Sequence, residues 1–282
     1  MAEIKVLVLR AAGTNCDLEM VHAFELAGAR AERVHVNRLI GQPDLLRNYQ
    51  ILALPGGFSY GDDLSAGKIL ANQLVHHLRQ ELGQFIESGK LVLGVCNGFQ
   101  VLTKAGILPG LPAQADASAG ELAAANAGSE PAADPTPTSN HGDQATLTCN
   151  DSGKFEDRWV YLQPATDRCV FIQPDQQIYL PVAHGEGKVC FADRRILERV
   201  IENRQVAFRY VDAGGNPGGY PVNPNGSTDD IAGLCDPTGR VLGLMPHPER
   251  FVHKTHHPRW TREEVAQPQG LLIFQNAVRY FG

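Results

Sequence analysis

One cysteine in this sequence stands where a nucleophile could be held. Cys96 lies in the pattern G-x-C-x-G between Gly94 and Gly98, after the apolar run KLVLG and before the helical segment FQVLTKAG. A sharp turn from strand to helix crowds the residues two before and two after its centre, so both favour glycine. The turn also places the sulfur at a helix N-terminus, which favours the thiolate. Cys96 is therefore predicted to be a nucleophile, although a buried cysteine beside a glycine turn is the competing interpretation.

A thiol nucleophile needs a base and a group that orients the base. The segment VLGLMPHPER offers both, because His247 and Glu249 stand two residues apart around Pro248. Alternate side chains share a face in an extended segment, so the carboxylate can reach the imidazole. The alternative for His247 alone is a polar residue whose hydrogen bonds are satisfied at a strand end.

A third segment could hold the developing negative charge. Gly56 and Gly57 follow the apolar run ILALP and open the loop GGFSYGDD. Adjacent glycines let backbone N–H groups point at a ligand, as an oxyanion site requires. If the ILAL strand lies next to the KLVLG strand, this loop ends beside Cys96.

The elements that must position these residues alternate between strand and helix. Ile4–Arg10 is predicted to be a buried strand, followed by a helix that Asp17 caps and that turns Leu18, Val21, Phe24 and Leu26 to the core. Further strands are predicted at AERVHVN, ILALP and KLVLGVC, with helix over Ser65–Ser88. This alternation predicts an α/β fold with a mostly parallel sheet flanked by helices, whose function lies at the C-terminal ends of the strands.

The second half of the chain contains β-like runs in place of further α/β units. These runs are predicted to extend the sheet, and the chain closes with an amphipathic helix, GLLIFQNAVRYF. The predicted strands are ATLTCN, RWVYLQ, CVFIQ, IYLPVAHGEG, VAFRYVD, IAGLCD and VLGLMP.

A low-complexity stretch interrupts the pattern at about residues 112–144. It is dominated by Ala, Pro, Ser, Gly and Asp and has almost no large apolar residue, so it cannot bury enough surface to offset ordering. We predict one domain over residues 1–282 with a flexible surface insertion here. A linker between two domains is the alternative.

Composition narrows the class of protein. A net charge of -6 with scattered basic residues makes nucleic acid an unexpected partner. No apolar run is long enough for a signal sequence or a membrane span, so a cytoplasmic location is expected. The six cysteines form no CxxC pair, and the histidines of HKTHHP lack a completing ligand pattern, so neither a disulfide framework nor a metal site is expected.

Together these residues resemble the class I glutamine amidotransferases, which have a flavodoxin-like fold and a Cys, His, Glu triad in the order of Cys96, His247 and Glu249. More narrowly, the sequence resembles the glutaminase subunits of phosphoribosylformylglycinamidine synthase, the PurQ type. The motifs that carry this resemblance are GGFSYGDDLSAG, GVCNGFQVL, AHGEG, NPNGS and MPHPER. The early loop AAGTNCD departs from the usual form of that group, which leaves the roles of Asn15 and Cys16 open.

The resemblance implies further residues and partners. The backbone N–H groups of Gly57 and Asn97 would form the oxyanion hole, and Gln100 would help to hold glutamine. The chain would release ammonia for de novo purine biosynthesis by a PurL-type synthetase subunit, with a small bridging PurS-type subunit. No cofactor is expected in this chain, because no phosphate-binding loop is present; ATP and Mg would be used by the synthetase.

Two other functions are compatible with the same residues. A cysteine hydrolase or peptidase with this nucleophile turn would accept other amides in place of free glutamine. A non-catalytic regulatory subunit would keep the fold, but it would have no need of Cys96, His247 and Glu249 together.

Overall fold

A computed structural model of the chain describes residues 3–111 and 144–282. Among the described residues, the first half contains four strands and five α-helices: β1 (Lys5–Arg10), α1 (Asp17–Leu26), β2 (Arg30–His35), α2 (Val36–Gly41), β3 (Ile51–Leu54), α3 (Lys68–His77), α4 (Arg79–Glu87), β4 (Leu91–Val95) and α5 (Asn97–Lys104). The second half contains β5 (Ala145–Thr148), β6 (Glu156–Pro164), β7 (Ile178–His184), β8 (Lys188–Phe191), α6 (Arg194–Glu202), β9 (Val206–Val211), β10 (Ile231–Cys235), β11 (Val241–Leu244) and α7 (Gly270–Arg279).

Nine strands form one sheet in the order β2-β1-β3-β4-β11-β10-β9-β6-β7. From β2 to β11 neighbouring strands run parallel, and from β11 to β7 they run antiparallel. Every residue of β3 and β4 is buried, as expected for parallel strands covered on both faces. The predicted α/β fold class, with extra strands in the second half, is confirmed.

The first helix differs from its prediction in the face that it buries. Cys16, not Asp17, occupies the N-cap position, and Leu18 and Leu26 are exposed. The buried face contains Asp17, Met20, Ala23 and Phe24. Arg10 and Arg33 lie 3.6 and 3.2 Å from the carboxylate of Asp17, and these ion pairs allow the side chain to be buried. The buried face of α1 therefore differs from the face that the spacing of apolar residues predicted.

Three further predictions were wrong in detail. The helix predicted over Ser65–Ser88 is two helices, separated by Leu78, whose φ of -135° and ψ of 10° are not helical. CVFIQ forms a turn, and its apolar character reflects the burial of Cys169 and Phe171 within the hydrophobic core. ATLTCN forms a strand, β5, but it pairs with β8 in a separate two-stranded sheet and does not extend the main sheet. The helix α6 was not predicted.

Two predictions depend on residues 112–143: the flexible insertion and the organisation of the chain as one domain. Residues 112–143 lie outside the described part of the chain, so the insertion and the single-domain organisation stay predictions.

Among residues 3–111 and 144–282, no helix is long and apolar enough to cross a bilayer.

Candidate active site

Three neighbouring strands end together and bring the predicted site residues to one edge of the sheet. β3, β4 and β11 are parallel neighbours, with Leu54 opposite Gly94 and Leu244 opposite Val95. The residues that follow these strands are the glycine pair, Cys96 and the segment that carries His247. Parallel pairing therefore accounts for the meeting of segments far apart in sequence.

The turn at Cys96 is as tight as the glycine pattern requires. Cys96 has a φ of 51°, a left-handed conformation that is unfavourable for any residue with a side chain. A Cβ on Gly94 would lie 2.7 Å from the carbonyl oxygen of Gly98, and a Cβ on Gly98 would overlap the carbonyl oxygen of Leu54. The flanking glycines thus let the turn close on itself and pack against β3.

The predicted base and its orienting carboxylate form a buried pair. Nδ1 of His247 lies 2.6 Å from Oε1 of Glu249, and the two side chains are 2% and 0% exposed. Nε2 of His247 has no hydrogen-bond partner among the described residues. The backbone N–H of His247 donates to the carbonyl of Pro181 at 2.8 Å, which fixes the start of this segment. Nε2 is therefore the nitrogen available to a thiol or a substrate.

Opposing effects act on the imidazole of His247. Burial by itself lowers its pKa, but the charge of Glu249, followed by Cys96 and Cys16, outweighs burial and raises the pKa well above its usual value. The imidazolium form is thus stabilised at the position where a proton from a thiol would be received.

Gly56 allows the nucleophile and the base to come close. A Cβ on Gly56 would lie 2.8 Å from Cε1 of His247 and 3.4 Å from Cβ of Cys96. Two backbone hydrogen bonds, Cys16 N–H to Gly56 and Phe58 N–H to Gly13, hold the glycine loop against the loop after β1. These two bonds leave the N–H of Gly57 uninvolved.

A cavity of about 450 Å³ opens beside Cys96 and His247, with Gly57 and Gln100 in its wall. Nε2 of Gln100 donates to the carbonyl oxygen of Glu186 at 2.6 Å, and its Oε1 accepts from Nδ2 of Asn97 at 2.9 Å. Thus the six predicted site residues converge on one region: Cys96, His247, Glu249, Gly57, Asn97 and Gln100.

Sequence reasoning left the role of Cys16 open, and the structure brings this residue to the same site. Its Sγ lies within 4.8 Å of a ring nitrogen of His247 and a carboxylate oxygen of Glu249. Arg250 donates to Cys16 Sγ at 3.2 Å. Because β1 neighbours β3, the loop after β1 ends beside the glycine pair; this pairing is the signal that could have identified Cys16.

His184, from the AHGEG segment, also lines the cavity. Nδ2 of Asn150 donates to the carbonyls of Lys154 and His184, so its Oδ1 accepts from Nδ1 of His184 at 3.1 Å and from the N–H of Gly187. Nδ1 must then carry the proton, and the buried Nε2 is an acceptor without a partner among the described residues. Burial, followed by the nearby His247, lowers the pKa of His184 to about 3.

The NPNGS segment supports the AHGEG segment from behind. Nδ2 of Asn225 donates to the carbonyl of Gly187 at 2.9 Å, and Oγ of Ser227 accepts from the N–H of Val189 at 3.0 Å. Oδ1 of Asn223 accepts from the backbone of this turn. The contacts of this segment are those of a structural support.

The histidines of HKTHHP make their contacts apart from the His247–Glu249 pair. Nε2 of His253 lies 2.8 Å from Nε2 of His22 on α1, and the ring of His256 contacts that of His253. His257 packs in an aromatic group with Trp159, Tyr179 and Phe251.

A cysteine on a strand-to-helix turn, a histidine paired with a carboxylate and a glycine loop at one sheet edge define a class of protein, the glutamine amidotransferases of the class I fold. Comparison with known proteins is consistent with this class. Residues 3–281 match the CobB/CobQ-like glutamine amidotransferase domain.

Similar proteins narrow the family. The chain is 45% identical to the phosphoribosylformylglycinamidine synthase subunit PurQ of Dehalococcoides mccartyi, over 99% of this chain and 98% of the relative. It is 41% identical to the PurQ subunit of Archaeoglobus fulgidus, over 99% and 97%. A solved structure of PurLQS from Thermotoga maritima contains a similar chain, with 28% identity, a TM-score of 0.69 and full coverage of both chains. This chain belongs to the PurQ family of phosphoribosylformylglycinamidine synthase subunits.

Proposed function

We propose that this chain hydrolyses glutamine to glutamate and ammonia through a thioester on Cys96, as the glutaminase subunit of phosphoribosylformylglycinamidine synthase. The observation that carries the proposal is the His247–Glu249 pair: Nε2 of His247 has no hydrogen-bond partner in the described part of the chain, and His247 lines the same cavity as Cys96. Gly57 and Asn97 supply oxyanion donors in this proposal, and Gln100 contacts the substrate.

The first half of the reaction releases ammonia. His247 takes the proton of Cys96, and the thiolate sulfur forms a bond to the amide carbon of glutamine. The carbonyl oxygen becomes an oxyanion that accepts hydrogen bonds from the N–H groups of Gly57 and Asn97. The tetrahedral carbon then expels its nitrogen, which takes the proton from His247 and leaves as ammonia. A glutamyl thioester remains on Cys96.

The second half restores the enzyme. His247 takes a proton from water, the resulting hydroxide attacks the thioester carbon, and the thiolate leaves as glutamate forms. The imidazolium of His247 then returns its proton to the thiolate of Cys96. Glu249 accepts a hydrogen bond from Nδ1, which holds Nε2 toward the reacting atoms and stabilises the imidazolium each time it forms.

The ammonia needs an acceptor that another subunit activates. The similar solved structure is a PurLQS assembly, which supports a PurL-type synthetase as the partner of this chain and a small PurS-type subunit as a bridge. In this proposal the chain itself uses no cofactor, and ATP and Mg²⁺ act on the synthetase. The product would enter de novo purine biosynthesis.

Two nitrogen sources separate this function from its rivals. In the assembled complex, Cys96→Ala should abolish glutamine-dependent synthesis and leave ammonia-dependent synthesis near the wild-type rate. Cys149→Ser, at an exposed cysteine, serves as the control and should retain both activities. Equal loss with both nitrogen sources would contradict a role confined to ammonia release. Hydrolysis of peptides in place of free glutamine would favour the hydrolase alternative.

A further inference from the structure

A side-chain network ties the glycine loop to the first turn of α5. Nδ2 of Asn97 donates to Oδ1 of Asp62 at 3.1 Å, and Oδ1 of Asn97 accepts from the N–H of Ser59 at 3.3 Å. The same Oδ1 of Asp62 accepts from the N–H of Gly67 at 3.1 Å. Asp62 and Asn97 therefore connect both ends of the segment 59–67 to the residue after the nucleophile.

This segment is in a conformation that needs such support. Tyr60, Gly61 and Asp62 have φ values of 56°, 71° and 54°, so three consecutive residues are left-handed. A left-handed residue with a side chain is strained and persists only where its surroundings hold it. Asn97 is 3% exposed, and its amide uses both its oxygen and its nitrogen to bind the segment.

The network also reaches Gln100 and Glu186, which line the cavity. The nitrogen of Asn97 that binds Asp62 donates in addition to Oε1 of Gln100, whose own nitrogen donates to the carbonyl of Glu186. A loss of Asp62 would therefore leave the segment 59–67 bound to the side chain of Asn97 through Ser59 alone, while Gln100 still held the nitrogen of Asn97. The expected consequence is a shift of the glycine loop relative to α5.

We infer that Asp62 is a positioning residue, which fixes the N–H of Gly57 relative to the N–H of Asn97 so that both reach one oxyanion. This inference rests on the proposed glutaminase function. An oxyanion donor acts mainly on the transition state, so displacement of the loop should reduce kcat more than it raises KM.

The chain offers a matched control one residue away, because Asp63 is an exposed aspartate of the same loop. Asp62→Ala removes the acceptor, Asp62→Asn keeps an oxygen acceptor of the same size, and Asp63→Ala removes the same carboxylate from an exposed position of the loop. With glutamine, Asp62→Ala should lower kcat at least tenfold, within the factor of about 10²–10³ that one donor supplies. Asp62→Asn and Asp63→Ala should stay within about threefold of wild type.

A second readout separates positioning of the donors from damage to the nucleophile. Alkylation of Cys96 by iodoacetamide forms no oxyanion and depends on the thiolate, so its rate should be unchanged in Asp62→Ala. Melting temperatures identify any unfolded variant, and Asp62→Ser replaces Asp62→Ala if the latter does not fold.

The outcomes are distinct for the inference and for the function. Asp62→Ala with a wild-type kcat, a change in KM alone, or a parallel loss of alkylation would overturn the positioning role. Equal impairment of Asp62→Asn would also overturn it, because the acceptor is retained there. If the wild-type chain in its complex fails to hydrolyse glutamine, or if Cys96→Ala still does so, the proposed function itself is wrong.

Discussion

Two buried histidines near the nucleophile have pKa values displaced in opposite directions. Both are desolvated, which disfavours the charged form. His184 receives only an amide oxygen at Nδ1, and its pKa falls to about 3. His247 receives the carboxylate of Glu249, and its pKa rises well above the usual value. The partner at Nδ1 therefore decides which histidine can accept a proton in the proposed reaction.

The raised pKa of His247 can be tested through its neighbours. Glu249 acts more strongly than Cys96 on this pKa, so Glu249→Gln should lower it more than Cys96→Ala does, and both should lower it relative to wild type. Imidazole titration followed by NMR of ¹³C-labelled histidine measures these values. An unchanged pKa in both variants would show that the carboxylate and the thiol do not stabilise the imidazolium.

The lowered pKa of His184 predicts a dependence of stability on pH. Unfolding returns this histidine to a pKa near 6.5, so between about pH 6.5 and 3 the unfolded chain binds a proton that the native chain does not. The unfolding free energy should therefore decrease as pH falls through this range, and His184 should account for about 1.4 kcal/mol of the decrease per pH unit. Urea unfolding of wild type and His184→Asn from pH 7 to 5 should show a shallower acid loss in the variant. Parallel curves would contradict a neutral buried His184.

At the scale of elements, sequence predicted the parallel strands better than the faces of helices. β3 and β4 are buried on both sides, so their apolar runs are continuous and unambiguous. The buried face of α1 was misassigned because ion pairs of Asp17 decide it. CVFIQ shows that an apolar run can be a buried turn, since burial of Phe171 depends on its tertiary neighbours.

The same distinction, between local sequence pattern and tertiary packing, decided which site residues could be predicted. Cys96, His247 and Glu249 were predictable because each follows a strand or lies two residues from a partner, and parallel strands end at a common edge. Cys16 and His184 were not assigned roles, because their contacts with the site arise from the packing of β1 and β7 beside it. Local spacing carries no information about such contacts.

The packing of the nucleophile turn on β3 predicts an unequal response of two glycines to alanine. A Cβ at Gly98 would overlap the carbonyl of Leu54, whereas a Cβ at Gly83 within α4 meets nothing within 4 Å. Gly98→Ala should lower the unfolding free energy by about 1–3 kcal/mol, and Gly83→Ala should raise it by about 0.5–1 kcal/mol. Urea unfolding measures both. Equal stability of the two variants would mean that the turn can move away from β3.

At the scale of the whole molecule, the antiparallel half of the sheet contributes a wall of the site. β7 is the last strand in the order, four places from β11, yet its Pro181 and Ala183 carbonyls accept from His247 N–H and Cys96 Sγ. The sheet must therefore curve until β7 faces the ends of β4 and β11. The added strands enclose the nucleophile, and strand order in the sequence could not reveal this closure.

The enclosed site and the strained glycine loop are relevant to how glutamine hydrolysis is coupled to the proposed synthetase. Ammonia released before its acceptor is activated is lost to water, so glutamine hydrolysis should wait for the loaded partner. The segment that carries Gly57 leads into the left-handed residues Tyr60 and Asp62, and Phe58 beside it is exposed, which makes this loop accessible to a docking subunit. Loops of this kind commonly complete an active site when a partner or a substrate binds.

If docking of the synthetase aligns the oxyanion donors, it should raise kcat for glutamine more than it lowers KM, by up to about 10²–10³ for one donor. Steady-state glutaminase kinetics on the isolated chain and on the nucleotide-loaded complex measure the two parameters. Phe58→Ala, which removes an exposed ring of the loop, should reduce the activation by the partner and leave the basal kcat of the isolated chain near wild type. If the isolated chain already hydrolyses glutamine at the full rate of the complex, the gating role of the loop is refuted. The proposed thioester chemistry at Cys96 would still stand, because it depends on His247 and Glu249 and not on when the loop is aligned.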